Sequence, residues 1–227
     1  MKKQILLFAL IFCMLCCKQK QSVEQPPTLS ASPPQVTVQG HIFDYDTTLW
    51  ADVAITDSTI LLDLKYATTD NFVGVILYDC PHCFLRPPAA KALAEANKQL
   101  YKKGLCLMMK DCYRPKPIQE KLWKIMPDAR YVTPPKKGSM HSRGVAVDVT
   151  LADMQGNELD MGTPFDFFGK AAHTNYTQLP AEILLRRKLL RTTLAAVGFK
   201  HIRTEWWHYS YKKGNYPLSD MVWQCPK

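Results

Sequence analysis

Behind Met1-Lys2-Lys3 the chain runs apolar without a break from Ile5 to Cys17, and Lys18 returns it to polar residues. A bilayer span needs roughly 20 apolar residues, so this shorter run has the form of the apolar part of an export signal. Residues 18–40 then lose periodicity altogether and are rich in Gln, Ser and Pro, a composition that cannot offset its ordering entropy and predicts a flexible tether. Regular patterning begins near His41. Leu93, Ala96, Asn97 and Leu100 recur at helical spacing between Pro88 and Gly104, with proline in the first turn and lysines in the last, which predicts a helix there. Leu105–Lys110 has no polar face and reads as a buried strand. A second helix fits Pro117–Met126. The clearest helix runs from Pro180 to Val197, with Ile183, Leu184, Leu190, Leu194 and Val197 on its apolar side and Gly198 ending it.

Strict alternation marks Val145–Leu151 as a strand, with Val145, Val147 and Val149 toward the core and Ala146, Asp148 and Thr150 on the other face. A last short strand fits Trp206–Tyr211, where one or both tryptophans belong to the core. Helices and strands interleave without βαβ spacing, no repeat is visible, and one α+β domain over residues 41–227 is the simplest organisation. A total of 227 residues agrees with one domain plus appendages.

Composition narrows the function only a little. Lys and Arg outnumber Asp and Glu by 29 to 20, but the excess of +9 falls to +6 once residues 1–40 are set aside. The remaining cations form no dense stripe with interleaved aromatics, and an export signal removes the chain from nucleic acid. The cysteine ending the apolar run, Cys16 or Cys17, fits a bacterial lipoprotein signal; a plain cleaved signal and an uncleaved anchor are the alternatives. The expectation is an exported protein on the periplasmic side of the envelope, touching the membrane only through an N-terminal lipid.

Five cysteines remain in the body: Cys80, Cys83, Cys106, Cys112 and Cys225. An oxidising compartment favours a disulfide, and the odd count leaves at least one thiol free in a monomer. Cys80-Pro81-His82-Cys83 invites a structural zinc site completed by Cys106 and Cys112, though its context for either zinc or redox chemistry is poor. A bridge at Cys112, two residues before Arg114, would stiffen that arginine.

The chemistry concentrates in Gly138-Ser139-Met140-His141-Ser142-Arg143-Gly144-Val145-Ala146-Val147-Asp148 and in Glu205-Trp206-Trp207-His208-Tyr209. Alone, His141 and Asp148 read more simply as a histidine capping a turn and a carboxylate on an ordinary surface strand. Together with His208 they make two imidazoles and a carboxylate, a standard catalytic zinc set that leaves one position open. Gly144 permits the turn that would fold His141 over the Asp148 face. Glu205, three residues before His208, is then free to act as a base. The histidines His41, His82, His173 and His201 stay in the background, although His173 lies near Asp166.

S-x-H-x-x-G-x-A-x-D followed by E-x-W-H resembles the zinc D-alanyl-D-alanine dipeptidases, peptidase family M15, the group that includes the vancomycin-resistance dipeptidase. Three further segments agree in order: Asp63-Leu64-Lys65-Tyr66-Ala67-Thr68-Thr69-Asp70-Asn71-Phe72, Asp111-Cys112-Tyr113-Arg114-Pro115 and Met161-Gly162-Thr163-Pro164-Phe165-Asp166. The resemblance covers Asp63 to Tyr209. It implies a hedgehog/D,D-peptidase-like α+β fold with a small antiparallel sheet packed with helices. It also implies one Zn²⁺ per chain on His141, Asp148 and His208, Glu205 as general base and acid, and Arg114 stabilising the transition state. Ser139, Asp166 and Tyr66 match substrate-pocket positions, Asp166 facing the ammonium of a small dipeptide. The carboxylate of that dipeptide is left to Arg114, another cation or backbone donors. The activity so implied is hydrolysis of D-alanyl-D-alanine in cell-wall metabolism. A zinc D,D-carboxypeptidase trimming peptidoglycan stems and a non-catalytic wall-binding module are the alternatives.

Overall fold

The computed structural model describes residues 45–223 and residue 225. The expected export segment (1–17), the tether (18–40) and the cysteines at positions 13, 16 and 17 lie outside the described residues. The architecture is α+β. In chain order the elements are β1 (Ala51–Asp52), α1 (Val53–Thr56), β2 (Leu61–Leu62), β3 (Phe84–Leu85), α2 (Pro87–Tyr101), β4 (Leu105–Asp111), α3 (Lys116–Ile125), β5 (Ala146–Asp153), α4 (Ala181–Ala196), β6 (Phe199–His201) and β7 (His208–Tyr211). Five strands form one sheet in the order β2-β4-β5-β7-β6, and β1 pairs with β3 in a separate ribbon. The large sheet is antiparallel except at its edge, where the two-residue β2 runs parallel to β4.

Alternation along β4 and β5 sorts side chains between two buried faces. Leu107, Met109, Val147, Val149 and Leu151 pack against Leu93, Ala96 and Leu100 of α2 and against Leu190 and Leu194 of α4. This is the core that the valine side of β5 predicts. The other face holds Cys106, Met108 and Ala152 in a smaller cluster, and toward the N-terminal end of β5 it carries Asp148. Near that end β4 slips register between Met109 and Asp111, so Asp111 rather than Lys110 sits opposite Asp148. A bulge of this kind re-aims the side chain that follows it. Lys110 is fully buried and its ammonium is held by Asp63 at 2.6 Å and Glu158 at 2.8 Å.

The expected elements are present with shifted ends. The first helix stops at Tyr101, and the last strand starts at His208, leaving Trp206 and Trp207 buried in the turn before it. Two disulfides are formed, Cys80–Cys225 and Cys83–Cys112, while Cys106 is a buried free thiol. A zinc site built on Cys80 and Cys83 is therefore overturned, because the two sulfurs go to different partners. Cys106 lies on the sheet with its Sγ toward the carbonyls of Ala152 and Asp153, and burial pushes its thiol up to about 11.

Candidate active site

Asp148 on β5 and His208 on β7 are direct partners across an antiparallel pair, which puts both side chains on one face of the sheet within reach of each other. His208 Nδ1 lies 3.0 Å from Asp148 Oδ1. The third member arrives from a loop. His141 opens a single 3₁₀ turn that Gly144 ends in the left-handed region at φ 70°. A Cβ at Gly144 would sit 2.4 Å from the Trp50 ring, so conformation and space both require glycine here. The turn folds His141 over Asp148, with His141 Nε2 3.4 Å from Asp148 Oδ2 and 3.2 Å from His208 Nδ1.

The far nitrogen of each ring is also engaged. His141 Nδ1 donates to the Cys112 carbonyl at 2.7 Å, and His208 Nε2 meets Ser210 Oγ at 3.2 Å. A carbonyl can only accept, so His141 carries its proton on Nδ1 and turns the Nε2 lone pair toward Asp148 and His208, while His208 presents Nδ1 to the same point. These two atoms and an Asp148 oxygen all lie within 4.8 Å of one another. Two imidazole nitrogens and one carboxylate oxygen converging in a buried site are a donor set that fits a divalent metal with a position to spare. Burial works to raise the Asp148 carboxyl, but the imidazoles of His141 and then His208 outweigh it and hold the group far below the usual range. Burial depresses His208 despite Asp148 beside it.

Arg114 follows β4 and is buried. Its Nε and Nη2 donate to Asp111 Oδ2 at 3.0 and 2.6 Å, and its Nη1 donates to Gln119 Oε1 at 2.9 Å. Tyr78 donates its hydroxyl to the other Asp111 oxygen at 2.9 Å. The guanidinium is thereby held with Nη2 4.0 Å from Asp148 Oδ2 and its carbon 5.3 Å above the Tyr66 ring. Glu205 places Oε2 4.0 Å from His208 Nδ1, and the Thr174 hydroxyl donates to its backbone carbonyl at 3.1 Å. Burial, then the charges of Asp148 and Asp166, raise the Glu205 carboxyl well above its ordinary range.

Tyr66 donates to Asp166 Oδ2 at 2.9 Å, and Ser139 Oγ accepts the His141 N–H at 3.2 Å. Asp166 is the one non-glycine among the described residues with positive φ, at 58°. Its carboxyl is raised by burial and by the charge of Asp148.

All eight residues singled out from the sequence line one cavity of about 340 Å³: Tyr66, Arg114, Ser139, His141, Asp148, Asp166, Glu205 and His208. His173, weighed as a pocket residue, does not line it; neither do His82 and His201. The sequence reading assigned no role to Asp111, Gln119 or Tyr78, the partners that hold Arg114 through one another. For Asp111 a signal was at hand, since it heads the same D-x-Y-R-P segment. Arg130, Lys137 and Lys212 also reach the cavity wall and add to the cations near it. A larger cleft of about 800 Å³ shares only Phe72 and Asp166 with this cavity. Its two lysines are already paired, Lys110 as above and Lys65 with Asp63 and Asp70.

The family model described as D-ala-D-ala dipeptidase matches residues 47–225. The chain belongs to that peptidase family. Its relatives include the D-alanyl-D-alanine dipeptidase of Escherichia coli K12, 38% identical over 181 residues, which are 79% of this chain and 94% of the relative. The D-alanyl-D-alanine dipeptidase of Enterococcus faecalis is 32% identical over 179 residues, 68% of this chain and 87% of the relative. That of Enterococcus faecium is 31% identical over 178 residues, 69% and 88% of the two chains. The family match spans the whole of the cavity, from Tyr66 to Lys212.

Proposed function

We propose that this chain is a zinc-dependent dipeptidase that hydrolyses D-alanyl-D-alanine to free D-alanine in cell-wall metabolism. The carrying observation is the convergence of His141 Nε2, Asp148 and His208 Nδ1 in one cavity with Glu205 and Arg114. Zn²⁺ held by those three residues supplies Lewis acidity and an acidified water at neutral pH. Glu205 takes a proton from the attacking water on its carboxylate and returns it to the departing amine nitrogen. Arg114, always charged and fixed by Asp111 and Gln119, aims positive charge at the developing oxyanion without having to reorganise. Asp166, hydrogen-bonded to Tyr66, is the buried carboxylate placed to receive the substrate ammonium.

The apolar run ending at Cys17 and the two disulfides support an exported, lipid-anchored placement in an oxidising compartment.

The test is release of D-alanine by the full chain from the dipeptide and from a pentapeptide stem, before and after chelation. We expect dipeptide turnover that disappears with a chelator and returns with Zn²⁺. Preference for the pentapeptide would assign the chain to carboxypeptidases, and turnover indifferent to chelation would remove the metal. Glu205→Gln should keep zinc while losing about 10³-fold in kcat, a size typical of general-base loss. Retained turnover in that variant would overturn the role of Glu205.

A further inference from the structure

Cys112 occupies a position that the proposed chemistry does not use. It lies just past the bulge that ends β4, where strand pairing with β5 has stopped. Its backbone carbonyl accepts the His141 Nδ1–H at 2.7 Å, the hydrogen bond that leaves His141 Nε2 facing Asp148 and His208. Its sulfur is bonded to Cys83, the residue before β3, and both cysteines are buried. The backbone N–H groups of the two following residues each make one cross-bond, Tyr113 N to the Phe84 carbonyl at 3.1 Å and Arg114 N to the His141 carbonyl at 3.3 Å. Deprived of ladder neighbours, the Cys112 carbonyl is held by the disulfide on one side and, on the other, by these two bonds and the buried, hydrogen-bonded side chains of Tyr113 and Arg114.

We propose that the Cys83–Cys112 disulfide is a positioning device for the metal ligand His141: it fixes the carbonyl that selects which imidazole nitrogen faces the metal. The inference rests on the zinc reading of His141, Asp148 and His208. Partners that orient a ligand histidine typically change metal affinity by about 10- to 100-fold when altered. The second disulfide is an internal control. Cys80–Cys225 ties the end of the chain to the segment before β3, and neither of its cysteines bonds to a ligand histidine.

The experiment uses the full chain, the double variant Cys83→Ser/Cys112→Ser and the control Cys80→Ser/Cys225→Ser. Zinc affinity is measured by competition with a chelator, and the protonated nitrogen of His141 by ¹⁵N NMR on the metal-free protein. We expect the unaltered chain to carry its proton on Nδ1. The first variant should bind zinc at least tenfold more weakly and show both tautomers, and the control should bind within twofold of the unaltered chain. Equal affinity in all three, an equal loss in both variants, or a proton on Nε2 in the unaltered chain would each overturn the proposal. An unaltered chain that binds no zinc would overturn the zinc reading itself. Where the serine pair does not fold, Cys83→Ala/Cys112→Ala takes its place, since both side chains lie in apolar surroundings. Failure of both pairs to fold would assign the bridge to global stability and overturn a role at His141.

Discussion

Asp166 shows how one residue can serve function at a cost to stability. Its backbone sits at φ 58°, a region that aspartate and asparagine tolerate and branched residues do not. Its carboxyl is buried and accepts a hydrogen bond from the Tyr66 hydroxyl. A carboxyl whose pKa is raised on folding stabilises the fold below its unfolded pKa, and that contribution is lost as pH rises through the folded value. Asp166→Asn keeps the turn conformation and removes the buried charge. The substrate-free variant should therefore melt at or above the unaltered chain near pH 8, with the difference shrinking as pH falls into the acid range. Kinetics should move the other way. A hydrogen bond to a charged group is worth about 1.5–3 kcal/mol, so KM for the dipeptide should rise by roughly 10- to 100-fold with a smaller change in kcat. An unchanged KM would remove Asp166 from ammonium recognition. Asp166→Val adds a backbone strain of about 1–3 kcal/mol and should lower Tm as well.

At the scale of elements, Asn97 explains a polar residue on the inner side of α2. Its Oδ1 accepts the Leu107 N–H at 2.8 Å, and its Nδ2 donates to Asp57 at 3.0 Å and to Thr59 at 2.8 Å. One fully buried amide thus joins α2, the start of β4 and the turn after α1. Asn97→Leu preserves volume but strands the Leu107 N–H, at a cost of about 2–3 kcal/mol. Tm should fall by roughly 5–10 °C while zinc affinity holds; a fall below about 2 °C would mean that water replaces the amide.

Helical spacing was enough to place Asn97 on the packed face, and strand alternation was enough to put Asp148 opposite the core valines. The turn residue Gly144 signalled that His141 could fold back. What periodicity could not reach is pairing between distant segments. The bulge that turns Asp111 toward Arg114 depends on register between β4 and β5, and the parallel edge strand β2 is too short to leave a pattern. Disulfide partners depend on which chain ends meet in space. Five cysteines allow many pairings, and only the fold separates Cys83–Cys112 from Cys80–Cys225.

Over the whole molecule, the chain end closes the side of the domain behind the His141 loop. Arg143 donates to the Tyr216 carbonyl at 2.8 Å, Ser219 N donates to the Ser142 carbonyl at 2.9 Å, and the Tyr113 hydroxyl donates to the carbonyls of Ser219 and Met221 at 3.0 and 2.8 Å. Trp223 packs against Tyr78, Phe84 and Tyr113, and Cys80–Cys225 pins the segment 145 residues from its partner. These contacts seat the strap independently of the disulfide, so the bridge acts mainly by restricting the unfolded chain. Long closed loops gain about 3–5 kcal/mol from such restriction. Cys80→Ser/Cys225→Ser should therefore lower Tm by roughly 6–15 °C without altering KM for the dipeptide. Calorimetry beside steady-state kinetics checks both halves. A strap that needs the bridge to stay seated would instead loosen the loop of Ser139 and His141, raising KM together with the loss of stability, and would place the disulfide within the active-site support rather than in the global fold.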